Sequence, residues 1–250
     1  MTGKLKKIFA GIGFLLAAGF TLLPICYIIA KTGAEEIYRV LLAELWFYPK
    51  FWYSLSVALA IAAGSLLFSF MAGASLGICR MKGKGVILII LLLLMLMPLQ
   101  VTLLPNYIAL RDMKLLDTGA ALILPMMFSP FSIFLMYQYA QTIDFEGLEA
   151  ARLETGSAAV IMIKVILPQM RACAAAVFVF MFAEGFNMVE QPMYFVKSQR
   201  LKPLSLLRES LAEGDGGLVY AVGVICLIPF LLLYVHFEEE IWEGLGTVKW

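Results

Sequence analysis

Charged side chains are scarce in this sequence. Of its 250 residues, 15% are charged and 62% are hydrophobic, and the mean hydropathy is +0.90. A soluble domain would carry about a quarter charged residues. The formal net charge is +1, which leaves no basic field to attract nucleic acid. The composition excludes an ordinary soluble domain and predicts an integral membrane protein.

Residue patterns for catalysis, metal binding and nucleotide binding are also missing. The single histidine, His236, cannot build a metal cluster, and no HExxH or GxSxG motif occurs. The segment KGKG lacks the spacing and the Ser or Thr of a Walker A loop. We therefore expect no enzyme activity, metal or cofactor in this chain. The cysteines are widely spaced without a CxxC pair, and we interpret them as small thiols in or beside apolar segments: Cys26, Cys79, Cys173 and Cys226.

Long apolar segments dominate what is present. Each is close to the roughly 20 residues that a membrane-spanning helix needs. The backbone must satisfy its own hydrogen bonds in lipid, so we expect helices. The first segment is too long for a signal peptide, and we interpret it as an uncleaved span. The sequence thus predicts an all-α integral membrane protein with six spans, at 8–30, 52–78, 86–104, 119–140, 168–187 and 218–237.

Basic residues indicate an orientation. Lysine and arginine in short loops favour the cytoplasmic side. They crowd two places, before the first span and directly after the second: Lys4, Lys6, Lys7, Arg80, Lys82 and Lys84. The opposite side carries basic residues spread over longer loops. We therefore expect both termini in the cytoplasm.

Small and helix-breaking residues interrupt several spans. Gly73 and Gly77 have the small-xxx-small spacing that lets helices approach closely. Pro98 lies in the third predicted span, and Pro125 and Pro130 lie in the fourth; prolines break the helical hydrogen-bond ladder. Helix packing alone could explain each feature, but together they favour a bundle that bends around a pathway.

A short charged segment separates the fourth and fifth predicted spans. It reads FEGLEAARLETGSAAVIMIKVILPQ, from 145 to 169. Asp144 is expected to cap a helix, Gly156 to end it in the left-handed conformation, and Ser157 to cap a second helix that runs to Pro168. Two caps and an alanine-rich face are typical of a docking element rather than a solvated loop. We therefore predict a helix-turn-helix docking element at 144–166.

This segment resembles the EAA loop of ABC importer permeases. The family pattern is E-A-A, three residues, G, nine residues, I, one residue, then L-P, and the triplet and the Leu-Pro pair fall at that spacing. Val165 occupies the isoleucine position, and Thr155 occupies the glycine position, one residue before Gly156. The resemblance implies contact with an ATPase through a cytoplasmic coupling loop at Glu149, Ala150, Ala151, Glu154, Gly156, Leu167 and Pro168.

The flanking sequence is similar to one branch of that family. The stretch MPLQVTLLPNYIALRDMKLLDTGAALILPMMFSPFSIFLMYQY and the closing EGLGTVKW resemble the smaller, six-span second permease of maltose-type carbohydrate importers. The resemblance covers roughly 52–250. It departs at Tyr53, where the family has asparagine, and at AEGFNMVEQPMYFV, which keeps only Asn187 and Pro192 of the family run.

The resemblance implies an assembly and a location. Such permeases pair with a second permease, two ATP-binding cassette subunits and an extracytoplasmic solute-binding protein. ATP and magnesium are bound by the ATPase partner, so this chain needs no cofactor of its own. The expected location is a bacterial cytoplasmic membrane, with the lipid bilayer as the surrounding medium.

Polar residues at the far end of the fifth predicted span point to the pathway. Polar groups at membrane depth usually face a cavity. We expect Asn187 and Glu184, together with Gln100, to line the translocation route, with Glu190 and Gln191 nearby. An ordinary interfacial loop remains the alternative for this group.

Other protein classes fit the sequence less well. A self-sufficient secondary transporter would show paired intramembrane charges and usually an internal repeat, and a membrane enzyme would show a catalytic constellation. Neither pattern is evident. The cargo is expected to be a sugar from the resemblance alone, and a non-sugar small solute stays open.

Overall fold

The computed structural model describes the backbone of residues 2–42, 44–79, 81–143, 145–206 and 216–246. Within these ranges it describes the side chains from residue 11 onward, except those of residues 145, 146, 216 and 244–246. Every regular element in these ranges is helical, as predicted. Four helices are long and apolar enough to cross a membrane, and six spans result if each of two sharply bent helix pairs counts as one. The described part of the chain is therefore all-helical, with four to six candidate spans.

The helices follow one another in this order: α1 (Thr2–Lys31), α2 (Ala34–Leu42), α3 (Phe47–Ile78), α4 (Lys84–Leu96), α5 (Leu99–Asp112), α6 (Gly119–Met127), α7 (Pro130–Ala140), α8 (Phe145–Glu154), α9 (Ala158–Ile161), a π-helical segment (Met162–Ile166), α10 (Leu167–Gln169), α11 (Arg171–Phe186), α12 (Glu190–Phe195), a 3₁₀ turn (Gln199–Leu201), α13 (Gly216–His236) and α14 (Glu238–Gly246). One compact unit holds α1, α2 and the first part of α13. The other holds α3 from Pro49 onward, α4 to α12, the end of α13, and α14.

The first unit contains the predicted first span and the short amphipathic helix that follows it. From Gly11 to Lys31 the side chains of α1 are exposed or half-buried. Its Tyr27 ring meets Tyr220 of α13 edge-on, with centroids 6.2 Å apart. Glu35 and Glu36 lie in the first turn of α2, where negative charge complements the helix dipole.

The core of the second unit is built on contact between α3 and α7. A Cβ added at Gly73 would lie 2.5 Å from the Met136 Cβ, and one added at Gly77 would lie 2.4 Å from the Ala140 Cβ. No residue with a side chain fits at either place without moving a helix. The predicted role of these small residues is confirmed, and α7 also contacts α4 and α11.

The third predicted span, 86–104, is not one straight helix. Met97 and Pro98 adopt extended conformations, and α4 and α5 on either side of them differ in direction by 104°. Proline disfavours helical geometry at the residue before it, which explains a break at this point. With 13 residues, α4 is about 20 Å long, which is short of the ~30 Å hydrocarbon core. Gln100 therefore lies on the separate helix α5.

The fifth predicted span is also bent. The helical path from α9 through the π segment to α10 meets α11 at 82°, around Met170. The straight helix α11 begins at Arg171, and the predicted start of the span at Pro168 lies on the other side of the bend. With 16 residues, α11 is about 24 Å long. The predicted fourth span, by contrast, coincides with α6 and α7, which Ser129 joins by capping α7.

Candidate coupling and translocation sites

The segment from α8 to α10, residues 145–169, forms what we call the arm. Its first helix ends at Glu154, and its second begins at Ala158, where the Ser157 hydroxyl accepts a hydrogen bond from the Val160 N–H at 3.5 Å. The predicted Ser157 cap is therefore confirmed. Asp144, the expected cap of the first helix, lies outside the described residues.

The turn between these helices differs from the prediction in one respect. Gly156 does not adopt the left-handed conformation. Thr155 closes the turn instead: its N–H donates to Ala151 O at 3.0 Å, and its hydroxyl accepts from the Ser157 N–H at 3.3 Å. A β-branched residue at the family's glycine position thus replaces a glycine cap with side-chain hydrogen bonding.

Side-chain exposure along α8 is strongly one-sided. Leu148 is 1% exposed and holds the helix against the protein. Glu149, Ala150 and Glu154 are exposed, Ala151 is half-buried, and Leu153 is 91% exposed. The EAA triplet thus presents one carboxylate and small apolar groups at the surface, with a leucine beside them.

A groove of about 1000 Å³ runs beside the arm. It is lined by Leu148, Glu149 and Arg152 of α8, by Lys82 of the loop after α3, and by Lys84 at the start of α4. The two segments that the charge distribution assigns to the cytoplasm therefore lie side by side. No local pattern in the sequence predicts this contact, because it joins segments that are about 65 residues apart.

Beyond the bend, α14 holds the start of α11. The Arg171 guanidinium meets the Glu243 carboxylate in a bidentate pair, with Nη2 at 2.7 Å from Oε2 and 2.8 Å from Oε1. The Phe178 and Phe237 rings pack at 5.6 Å between centroids. Leu167 and Pro168 lie in α10, on the arm side of the bend. The arm thus joins a helix that is fixed at its first turn.

The predicted pathway residues meet at the other end of α11. Three cavities that share lining residues occupy this region, with volumes of about 610, 390 and 570 Å³. Gln100 and Glu190 line the first, Glu184, Asn187, Glu190 and Gln191 line the second, and Glu184 and Gln191 line the third. The structure therefore brings together all the polar residues that the sequence placed near a pathway.

Individual contacts refine this picture. Gln100 Nε2 donates to Glu190 Oε1 at 3.0 Å, linking α5 to α12. Asn187 Nδ2 donates to Ala183 O at 3.0 Å and so helps to end α11. Tyr107 and Tyr194, which the sequence did not single out, line the 610 Å³ cavity.

Hydrogen bonds hold the segment after α12 in place. Asp117 has φ of 59°, and its Oδ1 accepts from the N–H groups of Lys197 and Ser198 at 3.0 and 2.8 Å. Lys50 Nζ donates to Lys202 O at 3.0 Å, and Ser54 Oγ accepts from the Leu204 N–H at 2.7 Å. These bonds fix α12, and therefore Glu190 and Tyr194, against α3 and α6.

Curated proteins similar to this chain are transport permeases. The sn-glycerol-3-phosphate transport system permease of Brucella abortus (strain 2308) is 28% identical over 85% of this chain and 76% of its own length. The arabinooligosaccharides transport system permease of Halalkalibacterium halodurans is 26% identical, over 82% and 74%. The lactose transport system permease of Rhizobium radiobacter is 29% identical, over 80% and 74%. No protein-family model matches the chain.

A solved structure shares the fold. A chain in the crystal structure of a bacterial ABC transporter involved in the import of the acidic polysaccharide alginate superposes with a TM-score of 0.80. It is 19% identical in sequence, and the match covers 96% of this chain and 97% of that one. The chain is thus similar in sequence to transport permeases, and it shares its fold with a chain of an ABC transporter.

Proposed function

We propose that the chain forms half of the translocation pathway of an ATP-driven importer of a sugar or oligosaccharide. A second permease supplies the other half, two cytoplasmic ATPase subunits bind and hydrolyse ATP, and an extracytoplasmic binding protein delivers the cargo. The relatives named for lactose and arabinooligosaccharides support a carbohydrate cargo.

The exposed EAA helix is the observation that carries this proposal. In α8 the buried Leu148 anchors one face, while Glu149, Ala150 and Leu153 are turned outward. Small side chains let a helix sink into a groove, and a carboxylate can pair with a basic group there. An ATPase subunit is the partner that this arrangement fits.

The path from arm to cavity supports a mechanism. The arm meets α11 at the bend around Met170, and the far end of α11 carries Glu184 beside the polar cavities. A packed helix transmits displacement because interiors are close-packed and hardly compressible. Closure of the ATPases around ATP would move α8, tilt α11 and change the cavity at its other end.

We further propose six spans with both termini in the cytoplasm. In this arrangement α4 with the start of α5 forms the third span, and α11, which the arm meets at the bend around Met170, forms the fifth. The arm and the loop after α3 face the ATPases, and the loops around α2 and after α12 face outside. The crowding of basic residues in short loops supports this orientation.

The test is to alter the docking face and measure ATPase co-purification together with ATP-dependent uptake. Glu149→Lys reverses the proposed pairing charge, and losing one partner of an interfacial charge pair costs about 2–5 kcal/mol. Ala151→Asp places a charged group where a small contact is proposed. Both variants are expected to insert normally, lose the ATPase or cycle without transport, and reduce uptake at least tenfold.

Glu35→Lys is the matched control, since it reverses an exposed carboxylate on α2. It is expected to retain the ATPase in full. Normal co-purification and normal uptake in both α8 variants would contradict the coupling role.

A further inference from the structure

A glutamine side chain with little exposed surface lines the cavities at the far end of α11. Gln191 is 9% exposed and lines both the 390 and the 570 Å³ cavities. Among the described residues, no hydrogen bond to its side chain is formed. Most polar groups with little exposure are hydrogen-bonded within the protein, so an amide that faces a cavity without a protein partner is available to a ligand. The amide is therefore placed to bind something that enters the cavity.

The charge around this amide has one sign. Glu184 borders the same two cavities, and Glu190 borders the 390 and 610 Å³ cavities. The described lining of the three cavities includes no lysine, arginine or histidine. This half of the pathway therefore offers carboxylates and amides to the cargo and no positive charge.

We propose that this cavity group binds hydroxyl-rich cargo that is neutral or cationic and rejects anionic cargo, a specificity that rests on the importer function proposed above. An amide both donates and accepts, so Gln191 can bond a sugar hydroxyl in either direction. An ionised carboxylate only accepts, so Glu184 suits a hydroxyl donor. The oxygens of a phosphate or uronate group also only accept hydrogen bonds. The two carboxylates cannot donate to them, and their negative charges repel an anionic group.

The size and the remaining lining fit such a cargo. The cavities, at about 390 to 610 Å³, fall within the usual range for small-molecule sites. Tyr107 and Tyr194 add amphipathic rings to the 610 Å³ cavity. The inference separates this chain from its relatives named for sn-glycerol-3-phosphate, an anion, and from the alginate importer that shares its fold.

The first experiment measures the charge preference of the cavity. Leu99→Cys places a reporter thiol beside the 390 and 570 Å³ cavities, with the exposed Cys26 and Cys79 replaced by serine. The complete importer in lipid nanodiscs is treated with a trimethylammonium-ethyl or a sulfonato-ethyl methanethiosulfonate. Each labelling rate is divided by the rate of the same reagent with a free thiol in solution. The corrected rate is expected to be about tenfold higher for the cationic reagent than for the anionic one.

Neutralising a carboxylate tests the cause of that preference. Glu184→Gln and, separately, Glu190→Gln should each lower the ratio of the two rates about threefold. Leu153→Cys on the distant α8 is the control, and its ratio should not respond to either variant. A ratio near one for Leu99→Cys, or a ratio unchanged by both variants, would overturn the electrostatic part of the proposal.

The second experiment measures cargo binding by protection of the same thiol. Maltotriose, a neutral trisaccharide, is expected to slow labelling of Leu99→Cys, while trigalacturonate of the same length is not. Gln191→Met removes the amide at similar volume and should weaken maltotriose protection at least tenfold while leaving the charge ratio intact. Equal protection by both sugars, or protection by neither, would overturn the proposal. The proposed function has its own test: it is contradicted if Glu149→Lys and Ala151→Asp in α8 keep normal ATPase co-purification and normal uptake.

Discussion

At the scale of single residues, the contact between α3 and α7 depends on the absence of side chains. A methyl group at Gly73 would come within 2.6 Å of the Ile133 carbonyl oxygen as well as within 2.5 Å of Met136 Cβ. The backbone oxygen cannot rotate away as a flexible side chain can. The two helices would have to separate.

Gly73→Ala is therefore expected to destabilise the protein. Overpacking of this kind costs about 1–3 kcal/mol, which should lower the Tm in detergent by several degrees. Gly223→Ala is the matched control, because no atom lies within 4 Å of a Cβ at that glycine inside α13. An unchanged Tm for Gly73→Ala, or an equal fall for both variants, would show that the close approach is not needed.

Residues also show what the sequence could and could not predict about the sites. The EAA spacing and the Ser157 cap were predictable because they depend on neighbours along the chain. Gly156 was assigned the wrong conformation because the hydrogen bonds of Thr155 replace a left-handed residue. The Arg171–Glu243 pair and the hydrogen bond from Gln100 to Glu190 join residues 72 and 90 positions apart, and no local pattern encodes them.

At the scale of elements, the bends are what distinguish this structure from a simple set of spans. The apolar content of the sequence located the segments 86–104 and 168–187. An average of hydropathy carries no information about the direction of the helix axis, so it does not predict a bend. Pro98 was expected to kink a helix, and it accompanies a 104° change of direction. The bend around Met170 follows a π segment and a proline, and beyond it α14 packs against α11.

Pro168→Ala is expected to open the bend between the arm and α11. Proline has no N–H to donate, so alanine adds a helical hydrogen bond just before the bend and allows a straighter helix. Spin labels at Leu153→Cys on α8 and Phe180→Cys on α11 should move apart. The expected increase in distance is roughly 5 Å, about the length of one helical turn. Uptake is expected to fall because the arm is displaced from its partner.

Pro130→Ala supplies the control for that measurement. Pro130 lies in the first turn of α7, a position that proline tolerates without altering the helix. The label distance should stay the same in this variant. A constant distance in Pro168→Ala as well would mean that the proline does not maintain the bend.

At the scale of the whole molecule, the proposed orientation makes a direct prediction. Cysteines introduced at Glu36 and Lys202 should react with a membrane-impermeant maleimide in intact cells. A cysteine at Lys82 should react only after the membrane is opened. Cys26 and Cys79 are replaced by serine, because both are exposed. Labelling at position 82 in intact cells would reverse the orientation.

The most direct test of the account is whether α8 touches an ATPase. Leu153 is 91% exposed on the outward face of α8, beside the EAA triplet, and a cysteine there can be joined to a neighbouring subunit by a short bismaleimide in native membranes. Thr102→Cys on α5, half-buried and at the cavity end, is the control. We expect Leu153→Cys to cross-link to the ATP-binding cassette subunit, with a yield that changes when ATP is added, and Thr102→Cys to give no such product. Absence of that product from Leu153→Cys, in a complex that still imports its cargo, would contradict coupling through this helix.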